Sequence, residues 1–229
     1  MKIENQNYYN SSRGFKNHEK FLAKIIIKNY SHMKDIKVLD LGCADGKFLK
    51  LLDENLNLKN IIGIDYDKKL INRAKKIKFI GKANFICSDF QKSNYRIKDI
   101  DIMIASGFYN SFDKPIKNLK KSLKFLHKKG NIFIFQRLNS FPIETKYFLR
   151  KPGQPKWKDK RILYYYKYFQ KFLPKNRIKK SKKWNIDIDI RRKKNPFSTF
   201  TVKTKHKRYQ LTNSNIVNEQ FFLWTESKK

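Results

Sequence analysis

The sequence predicts an α/β protein: a mainly parallel sheet with flanking helices, an antiparallel strand pair near the C-terminal end, and a basic, aromatic insertion before that pair. Three observations predict it. Short apolar runs alternate with helix-periodic segments. A turn of small residues joins the first apolar run to the helix after it. The next two runs are each followed by an aspartate. Strands alternating with helices imply βαβ units and a parallel sheet.

The elements follow in order. Across Lys16–Tyr30 the residues His18, Leu22, Ile25, Ile26 and Asn29 recur at three- and four-residue steps, one face of a helix. Lys37–Leu41 is the first strand, with the Gly42–Gly46 turn and a helix through Leu52 behind it. Asn60–Ile64 is the second strand, and Lys68–Lys78 is a helix with Leu70, Ile71, Ala74 and Ile77 on one side. Asn84–Cys87 and Ile100–Ala105 are the third and fourth strands. Pro115–Lys129 carries Ile116, Leu119, Leu123 and Leu126 on one stripe, opened by proline and closed by Gly130. Asn131–Phe135 is the fifth strand. Beyond Gln136 the pattern changes: residues 141–183 are basic and aromatic, with a helix expected over Asp159–Leu173. Ile186, Ile188 and Ile190 alternate with Asp187 and Asp189 as a half-buried strand does, and Phe197–Lys205 and Gln220–Glu226 are further strands expected to close the sheet edge.

Composition bounds the class of protein. Of 229 residues, 40 % are hydrophobic and 15 % aromatic, enough for a real core. Met1–Asn10 is polar, and every apolar run is far shorter than the roughly 18 residues a membrane span needs. A soluble, cytoplasmic protein is therefore expected. Cys43 and Cys87 fit no metal-ligand spacing, so free thiols and no metal are expected. The net charge of +35 comes from 44 lysines and 10 arginines against 19 acids. It is uneven: residues 141–210 carry +19, and residues 1–140 carry +16 over twice the length. Two sources stay open. An anionic partner (RNA, DNA, a phosphorylated metabolite or a membrane surface) calls for such charge. Lysine-rich codon bias also supplies it, and a binder of nucleic-acid backbone commonly uses more arginine for its bidentate phosphate contacts.

The chemistry concentrates at three strand ends. Val38-Leu39-Asp40-Leu41-Gly42-Cys43-Ala44-Asp45-Gly46 runs a strand into a small-residue turn and then a helix. Such a turn lets a ligand approach the backbone, with helix N–H groups facing it. Ile61-Ile62-Gly63-Ile64-Asp65 sets a carboxylate at the end of the second strand, able to accept both hydroxyls of a ribose. Phe85-Ile86-Cys87-Ser88-Asp89-Phe90 sets another after the third. A G-x-G-x-x-G dinucleotide fingerprint is not met, since its second and third glycine positions hold Ala44 and Lys47. Alone, each acid is an ordinary turn or cap residue; the ordered series is the signal.

In this order the residues resemble class I S-adenosylmethionine-dependent methyltransferases, which have a Rossmann-like fold. Val38–Gly46 is similar to their glycine-rich first motif, Asp65 to their ribose-binding acid and Asp89 to their adenine-side acid. Ile102–Phe108 is similar to their fourth motif and Lys129–Phe135 to the strand behind it. The resemblance covers residues 36–137 and the closing strand Gln220–Glu226, with Ala44 departing from the commoner glycine. It implies S-adenosylmethionine as cofactor. Gly42, Ala44 and Gly46 would line its methionine moiety, with Asp40 and Cys43 in the same site. Asp65 would hold the ribose and Tyr66 pack on the adenine. Asp89 and Phe90 would frame the adenine, and Ala105 and Ser106 lie beneath the sulfonium. The whole chain would then be one domain: an N-terminal cap at 1–30, a cofactor core at 36–137, an acceptor-side insertion at 141–197 and closing strands at 198–229.

The acceptor is named by elimination. Ser106-Gly107-Phe108-Tyr109-Asn110-Ser111 lacks the Asn/Asp-Pro-Pro-aromatic tetrad resembling nucleic-acid amino methyltransferases, lacks the cysteine of pyrimidine-C5 chemistry, and shows no Lys-Asp-Lys-Glu set. A small-molecule or sugar-like (glycan) acceptor methylated at oxygen is expected, with Tyr109 and Asn110 as acceptor contacts. The alternatives are an RNA-modifying enzyme and a non-catalytic binding module. The RNA reading would use Trp157, Tyr164, Tyr165, Tyr166, Phe169 and Trp184, which interleave with lysine and arginine in the insertion. Tyr8 and Tyr9 are expected to close over the cofactor.

Overall fold

A computed structural model describes residues 15–139, 142, 144–149, 159–184, 199–203, 208–212 and 220–226. The expectations for Tyr8, Tyr9, Trp157 and the 186–190 strand lie outside these residues. The elements in chain order are α1 (Asn17–Tyr30), β1 (Ile36–Leu41), α2 (Lys47–Asp53), β2 (Leu58–Asp65), α3 (Lys68–Ala74), β3 (Lys82–Cys87) and β4 (Ile100–Ser106). A single 3-10 turn at Tyr109–Ser111 follows. Then come α4 (Pro115–Leu123), β5 (Leu126–Arg137), β6 (Thr145–Leu149), β7 (Asp159–Leu163), α5 (Tyr166–Gln170), β8 (Ile178–Trp184), β9 (Thr199–Lys203), β10 (Arg208–Thr212) and β11 (Gln220–Glu226).

Seven strands form one sheet in the order β3-β2-β1-β4-β5-β11-β8. The pairs β1–β2, β1–β4 and β2–β3 are parallel, and β11–β8 is antiparallel. This is the Rossmann-like arrangement the sequence predicts. The chain divides into two compact units: the described residues through Phe108 with Lys121–Phe133, and Tyr109–Lys120 with the described residues from Ile134 onward.

The first unit has an aliphatic core. Central strand β1 is buried at every position but Lys37, which is why its sequence is apolar on both faces. Val38, Leu39, Leu41, Ile61, Ile102, Met103 and Ile104 carry no exposed surface, each worth about 1.5–3 kcal/mol of burial. Tyr30 at the end of α1 donates its hydroxyl to the Asp101 carbonyl (3.0 Å) and accepts from Asn131 Nδ2 (2.8 Å), anchoring α1 to the sheet. The second unit has an aromatic core. Phe135 stacks on Phe222 at 4.6 Å and Tyr166 on Phe221 at 4.9 Å.

Five sequence expectations are corrected. The helix from Pro115 stops at Leu123, and Leu126–Lys129 belong to β5. Gly130 is not a helix cap: a Cβ there would lie 2.3 Å from the Ile100 carbonyl, so the glycine admits the close approach of β5 to β4. Lys68–Lys78 is helical only to Ala74. The helix expected over Asp159–Leu173 is instead strand β7, drawn into register with β6, then the short helix α5. Tertiary pairing there overrides local periodicity. Finally, β9 pairs with β10 in a sheet of its own, and β8, not expected as a strand, closes the main sheet beside β11.

Candidate functional site

The ends of β1, β2 and β3 are stitched together by backbone. Gly42 and Cys43 donate their N–H groups to the Ile64 carbonyl (2.8 and 3.1 Å), and Ser88 donates to the Asp65 carbonyl (2.8 Å). The turn after β1 needs left-handed backbone three times: φ is +78° at Gly42, +50° at Ala44 and +77° at Gly46. Glycine accepts this freely, and alanine does so at a cost of about 1–2 kcal/mol.

Asp65 compensates for that cost. Its Oδ2 accepts from the Ala44 N–H (3.0 Å) and its Oδ1 from the Asp67 N–H (2.9 Å). Asp67 in turn caps α3, accepting from Lys69 N–H at 2.8 Å. The carboxylate thus ties the small-residue turn to the end of β2 and keeps lone pairs for a ligand. Tyr66, the next residue, is 60 % exposed. Register places Asp65 opposite Cys87, so Asp89 lies two residues further along the same sheet edge. Asp89 is exposed and accepts from the Gln91 N–H (2.9 Å) in a local turn. Both acids therefore reach the same end of the sheet as the turn.

Asp40 is the buried exception in an apolar strand. Burial foremost, then the charges of Asp65 and Glu19, push its carboxyl up to about 8. Burial likewise raises Asp65, against the backbone hydrogen bonds that hold its charged form. Among the described residues no lysine, arginine or histidine pairs with either acid. Cys43 is buried, and burial raises its thiol. Ala105 is buried and Ser106 half-buried at the end of β4.

Two expected site residues pack inside. Phe90 turns its ring inward, 5.6 Å from Tyr95, 5.1 Å from Phe108 and 6.3 Å from Phe125. Tyr109 is fully buried with its ring 6.1 Å from Phe169. Asn110 is half-buried in the same short turn.

The sequence assigns no individual role to several other residues. Lys121 Nζ donates to the carbonyls of Phe90 (2.5 Å) and Ser93 (2.7 Å) and lies 4.8 Å from the Phe90 ring, bracing the loop after β3. Phe108 lies over the turn, 3.2 Å from where a Gly42 Cβ would stand. In the second unit, Asn118 and Gln136 are each 3 % exposed, and Asn118 Nδ2 and Gln136 Oε1 have no hydrogen-bond partner among the described residues. Among the described residues no cluster of three metal-binding side chains occurs, and no helix is long and apolar enough to cross a membrane.

Comparison with known proteins agrees with this geometry. The chain is 30 % identical over 128 residues to a tRNA U34 carboxymethyltransferase of Campylobacter fetus, covering 52 % of this chain and 44 % of that protein. It is 28 % identical over 94 residues to a malonyl-[acyl-carrier protein] O-methyltransferase of Priestia megaterium, covering 40 % and 34 %. The chain spans 34 to 57 % of the length of the curated relatives it matches. Its fold is similar to that of the plantazolicin methyltransferase BpumL, with a TM-score of 0.56 at 19 % identity over 97 % of this chain and 89 % of that one. A family model described as a methyltransferase domain matches residues 32–212. With most of its length inside that match, and with the turn and acids of the first unit at one sheet edge, the chain belongs to the class I S-adenosylmethionine-dependent methyltransferase superfamily.

Proposed function

We propose that the chain binds S-adenosylmethionine at the sheet edge of its first unit and methylates an oxygen of a small-molecule or sugar-like acceptor. The observation that carries the cofactor reading is the Asp65 carboxylate bonded to Ala44 N–H, next in sequence to exposed Tyr66. In this reading Asp65 accepts the ribose hydroxyls and Tyr66 stacks on the adenine. Asp89 receives the adenine amino group, and the Gly42–Gly46 turn lies along the methionine. Asp40 answers its ammonium, with Ala105 and Ser106 beneath the sulfonium. The cofactor, when bound, supplies a methyl already made electrophilic by the sulfonium, so the task left to this chain is placement. Residues 1–30 act as a cap and 141–197 as the acceptor-side insertion of a single cytoplasmic domain.

The oxygen acceptor is supported by two things. Amino and pyrimidine-C5 signatures are missing from Ser106–Ser111, and the curated relatives include O-methyltransferases. Calorimetry with S-adenosylmethionine tests the cofactor reading, and absence of binding overturns it. Incubating a cell extract with the protein and isotope-labelled methyl donor, followed by mass spectrometry, tests the acceptor: label on nitrogen or carbon contradicts the oxygen reading. A second reading, an RNA-modifying enzyme, is favoured by the charge of the second unit: Asp159–Trp184 carries ten lysines and arginines against one acid.

A further inference from the structure

Helix α5 has two faces of different chemistry. Phe169 is fully buried, and the Tyr166 ring stacks on Phe221, so these two positions face the core of the second unit. Lys167, Tyr168 and Lys171 are exposed on the other side. The outer side continues as a ladder of rings: Tyr164 stacks on Tyr168 at 6.0 Å with 21° between the planes, and Phe172 meets Tyr168 edge-on at 5.3 Å. Lys171 Nζ stands 5.7 Å from the Tyr168 ring, and Lys120 Nζ 4.8 Å from the Phe172 ring. The charge extends onto β8. Because Tyr166 lies on Phe221, α5 sits on the sheet face of Phe221, whose cross-strand partner is Lys183; Lys179 shares that face by strand alternation. Gln170 Nε2 fastens the helix there by donating to the Lys180 carbonyl (3.2 Å). Among the described residues no carboxylate pairs with Lys167, Lys171 or Lys179.

We propose that this face of α5 and β8 binds single-stranded polynucleotide, with phosphates on Lys167, Lys171 and Lys179 and a base stacked on Tyr168. Lysines along an edge strand also hinder unwanted strand pairing, which accounts for β8 alone. That role does not call for a partly exposed ring ladder interleaved with cations, whereas a strand of alternating bases and phosphates matches both. The proposal deepens the second reading above, yet binding is measured without methyl transfer.

The test is fluorescence anisotropy on the full chain with a labelled oligo-uridine 15-mer. Oligo-thymidine of the same length, the corresponding duplex and heparin serve as comparators. The single strands bind more tightly than duplex or heparin, and affinity falls steeply with salt, as counterion release requires. Lys167→Glu with Lys171→Glu weakens binding by about tenfold or more. The charge-matched pair Lys24→Glu and Lys28→Glu, exposed on α1, leaves it within about twofold. Tyr168→Ala, which changes no charge, weakens it by roughly fivefold or more. A preference between uridine and thymidine strands identifies RNA or DNA as the source. An equal loss in the α1 pair, unchanged binding in Tyr168→Ala, or heparin binding as tightly as RNA overturns the proposal. S-adenosylmethionine binding by the same variants confirms that they fold and separates the readings: strand binding lost with the cofactor retained leaves methyl transfer standing, and the reverse leaves the docking face.

Discussion

The strand-end edge of the first unit and the ring ladder of the second are both candidate binding surfaces, but they are made of different material. The first is mostly backbone: three left-handed residues, carbonyls that take the N–H groups of neighbouring strands, and one carboxylate that locks the turn. The second is mostly side chain: rings and ammonium groups on a five-residue helix and an edge strand. A backbone-built site depends on which residues leave room, so it tolerates few changes. A side-chain surface depends on what projects, so single changes should be graded and local.

The largest effect should come from removing that room. A Cβ on Gly63 would stand 2.6 Å from Phe85 Cδ1 and 2.7 Å from Cys43 Sγ. Gly63→Val therefore has to displace both β3 and the small-residue turn. It should cost about 3 kcal/mol of stability, read as a lower urea midpoint. A near-neutral Gly63→Val would mean the edge is as plastic as the outer face of α5, and the contrast between the two regions would fail.

Next in size is Asp65→Ala. It removes the partner of Ala44 N–H and the expected ribose acceptor together, and should weaken S-adenosylmethionine binding by about 1–3 kcal/mol. Asp65→Asn keeps the shape and one acceptor oxygen and should lose less. An unchanged dissociation constant in the alanine variant removes Asp65 from the cofactor site.

The pH dependence sharpens the same point. Asp40 holds its proton to about 8 in the fold, against 3.8 for an ordinary aspartate. The folded state thus binds more protons than the unfolded one between those values, so stability from this group is full below pH 3.8 and is lost as pH rises towards about 8. A cationic ligand favours the ionised carboxylate, so S-adenosylmethionine affinity should rise with pH through about 8, and the ligand should offset the loss of stability. Calorimetry across that range checks it; an affinity flat in pH separates Asp40 from the ligand's charge.

Tyr109→Phe bears on the second unit. Its ring is fully buried on Phe169. Loss of the hydroxyl should change stability by about 1 kcal/mol and leave cofactor affinity alone. A large loss of cofactor binding would show that the packing role assigned to Tyr109 is wrong.

How much of this was legible follows from the same difference in material. The first five strands were readable because buried parallel strands are continuous apolar runs, and Gly42, Gly46 and Asp65 because turn geometry admits few residues. Asp40 is a site residue in the sequence pattern, but its raised carboxyl is not readable there, since its foremost cause is burial, which only the assembled fold decides, with the charges of Asp65 and Glu19 adding to it. Lys121 left no trace either: its three carbonyl partners lie 28–31 residues upstream, a distance no periodicity encodes. In the second unit, β7 carries residues that suit a helix equally well, and only its pairing with β6 decides the matter. Gly130 misled for a related reason: a glycine that admits a neighbouring strand reads, in one dimension, like one that ends a helix.

The smallest effect tests the contrast where it is most finely balanced. Ala44 holds φ at +50° where the resembling family commonly has glycine. Replacing it with glycine relieves about 1–2 kcal/mol of left-handed strain and adds back about 0.4–1 kcal/mol of unfolded-chain entropy. Ala44→Gly should therefore stabilise the chain by a few tenths to about 1 kcal/mol, with Ala44 N–H still donating to Asp65 in the folded state. Cofactor affinity should hold or rise, because the turn loses a methyl and keeps its hydrogen bond. A drop in affinity would mean that the alanine methyl itself touches the ligand, and that this stretch of the edge, like the ladder on α5, works through a side chain after all.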